Sequence, residues 1–155
     1  MIRATKVEPA ASVTTTADDK VLLDFDARYR RRTTMRSEAG LEFLLDLVRA
    51  QRLRHGDLLL LEDGRRIQVA AAPEDLAEIR SDAIGGLTRL AWHLGNRHLP
   101  VMLATDHILI RCDHVIEDMV RGLGGTVTPV HAPFDPERGA YAGGQVHAHE
   151  GDDGA

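Results

Sequence analysis

Between Leu76 and Thr128 the apolar residues change period repeatedly, and the order of those changes leaves few folds open. Leu76-Ala77-Glu78-Ile79 alternates with the two-residue period of a strand. Ile84, Leu87, Ala91 and Leu94 then recur at intervals of three and four, one face of a helix, with Ser81 or Asp82 placed to cap its free N–H groups. Leu99–Leu103 and Ile108–Arg111 read as two strands joined across Ala104–His107. Asp113 is positioned to cap a second helix whose buried stripe is Ile116, Met119, Val120 and Leu123, and Gly124-Gly125 ends it. Thr126-Val127-Thr128 starts a closing strand.

Strand, helix, strand, strand, helix, strand is the split βαβ, or ferredoxin-like, order. That fold hosts many functions and names none of them. Gly85-Gly86 within the first helix costs roughly 1 kcal/mol per glycine relative to alanine; close approach of another backbone, or a frayed first turn, would explain the pair. At the other end Gly95-Asn96 is a stop signal, and Pro100 keeps the helix from resuming. His98 falls four residues beyond Leu94, extends the line of the buried face, and is left to look outward past the helix end. His93 points in another direction on a continuous helix, so a short chelate from both is not expected. It reads as structural.

The first half is patterned for strands. Met1–Lys20 begins without clear periodicity, and Val21-Leu22-Leu23-Asp24-Phe25 then reads as a short strand. Arg28, Arg30, Arg31, Arg32 and Arg36 follow closely, and alternation around Arg30–Met35 fits a strand with one wet face. The alternative use of these arginines is a docking surface for an acidic partner protein. Alternation at Leu41, Phe43, Leu45 and Leu47 favours another strand. His55-Gly56-Asp57 turns the chain into Leu58–Leu61, and Glu62-Asp63-Gly64 is a hairpin signal returning through Ile67-Gln68-Val69. Ala70-Ala71-Ala72-Pro73 marks the boundary, since proline restricts its predecessor. The expected class is α+β: a small β-rich domain over residues 1–72, a ferredoxin-like βαββαβ domain over 73–138, and a flexible histidine-bearing tail over 139–155.

A net charge of -5 and a pI near 5.9 argue against a general nucleic-acid binder. No secretory apolar run follows Met1, and Leu58–Leu61 is too short to span a bilayer. The single cysteine, Cys112, excludes an intrachain disulfide framework. A soluble cytoplasmic protein is expected, with no membrane and no nucleic-acid partner.

Seven of the eight histidines lie from His93 onward, so any metal belongs to the second half. Neutral imidazole suits Ni, Cu, Zn and Fe, and its pKa of about 6.5 leaves it mostly unprotonated near neutrality. Cys112 and His114 lie at a strand-to-helix junction, where side chains two apart can share a face. Cys112 reads equally as a small packed hydrophobe. His107 sits in a hairpin connection, and His131 has no histidine near it. His147-Ala148-His149-Glu150, with Asp152 and Asp153, is a tail of two imidazoles and three carboxylates. A merely solubilising terminus is the competing account of that composition.

His93-Leu94-Gly95-Asn96-Arg97-His98-Leu99-Pro100, followed by Asp113-His114-Val115-Ile116-Glu117-Asp118-Met119, resembles the UreE family of urease accessory metallochaperones. The likeness continues through Pro133-Phe134-Asp135-Pro136-Glu137, Gly139-Ala140-Tyr141 and the histidine-bearing tail. It covers the second half well and the first half in layout. The resemblance implies a β-rich first domain and a ferredoxin-like metal-binding second domain, paired as a homodimer. It also implies Ni(II) as cargo, with Zn(II) or Cu(II) competing, and urease and its accessory GTPase as partners. His98 is then the principal ligand, and Cys112 and His114 hold positions where some relatives carry secondary metal-binding histidines. A cysteine departs from that pattern and would soften the site. His147 and His149 would supplement the dimer site. Two rivals stand beside this reading: a zinc-dependent hydrolase built on His98, Asp106 and His114, and a non-metal adaptor that binds through the arginine cluster.

Overall fold

A computed structural model describes residues 1–138. Its first half is one six-stranded sheet built from β1 (Arg3–Glu8), β2 (Asp19–Leu23), β3 (Tyr29–Arg36), β4 (Glu42–Arg52), β5 (Leu58–Leu61) and β6 (Arg66–Ala71), in the order β2-β6-β5-β1-β4-β3. The alternation along β4 does what the period demands. Phe43, Leu45 and Leu47 turn inward onto Val21, Met35, Leu59, Leu61, Ile67 and Val69, while the intervening residues face out. The β5–β6 hairpin closes at Gly64, whose φ of 88° is one that glycine adopts without steric cost.

The unpatterned N-terminus holds the one unexpected strand. β1 lies inside the sheet, parallel to β4 and antiparallel to β5. Among its residues only Ala4 is fully buried, so its place rests on backbone pairing that composition does not advertise. Phe25, read as the end of β2, instead begins a short turn and packs elsewhere.

The second half runs β7 (Pro73–Arg80), α1 (Gly86–Asn96), β8 (Met102–Leu103), β9 (Ile108–Arg111), α2 (His114–Gly122) and β10 (Thr126–Pro133). The strands form an antiparallel sheet of order β10-β7-β9-β8. Leu90 and Leu94 of α1, with Ile116 and Val120 of α2, close over Ala77, Ile79, Ile108 and Ile110. Among the described residues the fold is thus mixed α and β, with two sheets and two α-helices.

Several local expectations are corrected. Ile84 precedes the helix and is fully exposed, so the buried stripe is Leu87, Leu90, Ala91 and Leu94. Neither Ser81 nor Asp82 caps α1. The N-cap is Gly85, at φ 68° and without a side-chain cap, while the Ser81 hydroxyl accepts from Ala83 N–H at 3.3 Å. A Cβ on Gly86 would lie 2.0 Å from that hydroxyl oxygen. The glycine pair therefore makes a turn and admits a side chain, not another backbone. β8 has only two residues, because Leu99 and Val101 pack on the core without pairing as strand. Leu123 closes α2 and is nearly half exposed.

A third apolar cluster of Phe25, Leu76, Leu109 and Phe134 joins the two sheets. Around it, Arg28 is wholly buried and donates to the carbonyls of Leu53 (3.2 Å), Leu23 (2.8 Å) and Phe134. Arg54 grips Asp135 through two hydrogen bonds, at 2.9 and 3.2 Å, and Arg111 meets Asp26 at 3.0 Å. The segment from Phe134 to Glu137 is consequently a strap laid across both halves. Among the described residues no helix is long and apolar enough to cross a membrane.

Candidate metal-binding site

His98 occupies the turn that follows α1. Gly95 remains inside the helix, Arg97 closes it, and His98 N–H donates to the Gly95 carbonyl at 3.1 Å. The left-handed turn expected of Gly95 falls on the histidine instead, with φ at 58°. Among the described residues it is the one non-glycine with a positive φ. Such residues are uncommon, and where the surrounding structure holds them they cluster at functional sites. The turn leaves the His98 side chain exposed.

Other imidazoles are engaged. His55 Nδ1 accepts from Ala71 N–H at 3.1 Å, His107 Nδ1 lies 2.6 Å from Asp106, and His131 Nδ1 lies 3.0 Å from Asp75. His93 stands edge-on to the Trp92 ring at 5.0 Å. His98 and His114 have no side-chain partner among the described residues. Asp106 bridges His107 and Arg80, the latter at 3.1 Å. His107, then Arg80, holds its carboxyl below the ordinary carboxylate value. Asp106 is therefore an exposed, ionised carboxylate held in a surface ion pair.

His114 is the first residue of α2 and is exposed. Its position follows from an N-terminal box: Asp113 accepts from Val115 and Ile116 N–H at 3.0 and 3.2 Å, and Glu117 accepts from Asp113 N–H at 2.9 Å. Cys112, between β9 and that box, is exposed, which overturns the packed-hydrophobe account. Partial burial, then the carboxylates of Glu117 and Asp75, push its thiol above the ordinary value. The thiolate is the ligand form, and this environment disfavours it.

An open depression of about 540 Å³ connects these two regions. Arg97, Leu99 and Pro100, from the turn that carries His98, line one part. Arg111, Cys112, Asp113, Ile116 and Asp75 line the rest. His98 and His114 flank the lining in the chain but do not form it. Among the described residues no three His, Cys, Asp or Glu side chains gather into a group able to hold a metal ion. His147 and His149 lie outside the described residues.

The docking of residues 134–137 beside the segment after His98 was not legible in sequence. Glu137 N–H donates to the Val101 carbonyl at 2.7 Å, and Leu103 N–H donates to the Glu137 carboxylate at 3.4 Å. The strap therefore delivers the chain to the segment that directly follows His98. Its signal was Pro133-Phe134-Asp135-Pro136, an apolar ring set between two chain-stiffening prolines.

Comparison with known proteins agrees with the geometry. Residues 2–72 match the family described as UreE urease accessory protein, N-terminal domain, and residues 74–155 match its C-terminal domain. The urease accessory protein UreE of Rhodopseudomonas palustris (strain HaA2) is 57% identical over 151 residues, covering 97% of this chain and 68% of the relative. That of Chelativorans sp. (strain BNC1) is 56% identical over 151 residues, covering 97% and 92%. That of Ruegeria pomeroyi is 47% identical over 133 residues, covering 86% and 87%. A two-sheet accessory protein is the class defined here. The chain belongs to the UreE family of urease accessory proteins.

Proposed function

We propose that this chain is a nickel-binding metallochaperone, not an enzyme, and that it delivers Ni(II) toward apo-urease while the urease metallocentre is assembled. The observation that carries the reading is His98: an exposed imidazole with no side-chain partner among the described residues, held by a left-handed turn at a helix end. Family membership supplies urease as the client. The second-half strand order supports a ferredoxin-like domain over 73–138. On this reading that domain pairs as a homodimer, and residues 1–72 serve as a partner-binding domain.

One imidazole per chain makes a poor nickel site. Two copies related by a two-fold axis place His98 opposite its counterpart, so one ion is shared. The tail over 139–155 completes the shell through His147 or His149. From Glu137, whose N–H is bonded to the Val101 carbonyl shortly after His98, a fully extended chain to His147 reaches roughly 35 Å. Nickel accepts such nitrogen and oxygen donors, Zn(II) and Cu(II) compete for them, and a shell finished by water and a tail releases its ion readily. Cys112 and His114 act as secondary donors. The accessory GTPase of the urease system is the expected exchange partner, in the cytoplasm.

Calorimetric titration tests the reading. The full chain should bind nickel, and truncation after Gly143 should lower affinity or amount without unfolding the protein, because the deleted residues lie beyond the strap that packs on the core. Full-length protein that fails to bind nickel overturns the function. Identical binding by the truncated chain removes the tail from the ligand set.

A further inference from the structure

The arginines between Arg28 and Arg36 separate into distinct roles. Arg28 is a buried pin between the sheets, and Arg36 pairs with Glu42 at 3.8 Å. Arg30, Arg31 and Arg32 are exposed on β3, and among the described residues no carboxylate pairs with them. Asp46 is in register with Arg32 but lies 3.3 Å from Arg3, which holds it. β3 is the outer strand of its sheet. Among the described residues the backbone of Arg30–Arg36 bonds only to β4. The register breaks between Arg30, opposite Gln51, and Arg32, opposite Asp46. Of the intervening residues of β4, Leu47 stays in the core, whereas Val48, which is 93% exposed, and Arg49 and Ala50 face solvent.

We infer that this edge receives an extended acidic segment of a partner protein, added beside β3 as a further strand. The backbone of β3 supplies the ladder, and alternate carboxylates of the incoming strand meet Arg30, Arg32 and Arg49. Charge chooses the occupant. Charges on an outer strand commonly prevent unwanted pairing, but either sign achieves that. Here every charge on β3 is an arginine, in a chain whose net charge is -5. An acidic partner meets general repulsion elsewhere and attraction at this edge. The inference does not depend on nickel binding.

The probe is a short fluorescent peptide alternating glutamate and threonine, titrated onto the full chain and followed by anisotropy. Saturable binding is expected, about tenfold weaker for Arg30→Glu/Arg32→Glu and similarly weakened by high salt. N-methylation of alternate peptide amides should abolish it, and a lysine–threonine peptide should not bind. Both arginines are exposed, so the variant should keep the wild-type melting profile; Arg30→Ser/Arg32→Ser should give an intermediate loss. Absence of binding, equal binding by the charge-reversed protein, or indifference to N-methylation overturns the inference. So does a single-stranded oligonucleotide that binds this edge as tightly as the peptide, since that marks a surface for anions in general.

Discussion

The two sheets divide the work of the molecule unequally. In the six-stranded sheet the strands are longer on average, its core residues are enclosed, and Arg3 pairs with Asp46 and Glu62, Lys20 with Glu38 and Arg65 with Asp63, while Arg30, Arg31 and Arg32 on the outer strand stay unpaired among the described residues. Its one histidine, His55, accepts a backbone hydrogen bond. The four-stranded sheet has a two-residue strand, short helices, and an exposed rim where His98, Cys112 and His114 stand beside an open depression. The candidate ligands sit on loops of the four-stranded half, which the strap ties to the six-stranded sheet. Under the proposed function, ligand exchange belongs to the rim of the second half and the joining of the halves to the strap, so the two should respond to different substitutions.

The largest expected effect tests the junction between them. Phe134→Ala empties a fully buried position at the cluster joining the sheets and should cost about 3–5 kcal/mol, read by urea denaturation. If the halves depend on the strap, the loss appears as one cooperative transition moved to lower urea. A cost near zero would mean that the strap merely rests on the surface.

A smaller effect should stay within the second half. Asp113→Ala removes the cap of α2 and should lower stability by about 1 kcal/mol. Amide exchange should quicken in Val115 and Ile116 while β4 and β5 keep their protection. Faster exchange across the six-stranded sheet would contradict the separation of the halves. The smallest effect belongs to Cys112→Ser: stability should change by less than about 0.5 kcal/mol, as at other exposed positions. Nickel affinity should hold nearly constant and copper affinity should fall, because the softer metal favours sulfur. Collapse of nickel binding in a folded Cys112→Ser protein would promote Cys112 to a principal ligand.

Much of this contrast is legible in residues read one after another. The period of Phe43, Leu45 and Leu47 announces β4, and Asp113 announces the start of α2, because each acts through neighbours in sequence. β1 is not legible: Arg3–Glu8 buries one alanine completely and is held by pairing with distant strands. Arg28 belongs in sequence to a basic run, yet its guanidinium is enclosed by carbonyls from Leu23, Leu53 and Phe134. Only the tertiary fold brings those carbonyls together. For the candidate site, the outward placement of His98 follows from the helix stop, whereas its left-handed backbone does not, since Gly95 is the residue that composition nominates for the turn. The depression joining Arg97–Pro100 to Cys112 depends on α1 and β9 meeting across the sheet. No local pattern records it.

The central proposal is that His98 and its counterpart in a second copy share one nickel ion. Sedimentation of the chain truncated after Gly143, with and without nickel, measures mass and stoichiometry together. Wild-type protein should shift toward dimer on nickel addition and bind one ion per two chains, because a ligand that binds only the dimer stabilises it by mass action. His98→Ala should remain folded, since the residue is exposed beyond the helix, and should lose both the ion and the nickel-linked shift. One nickel per chain, or a His98→Ala protein that still dimerises in response to nickel, would contradict the shared site.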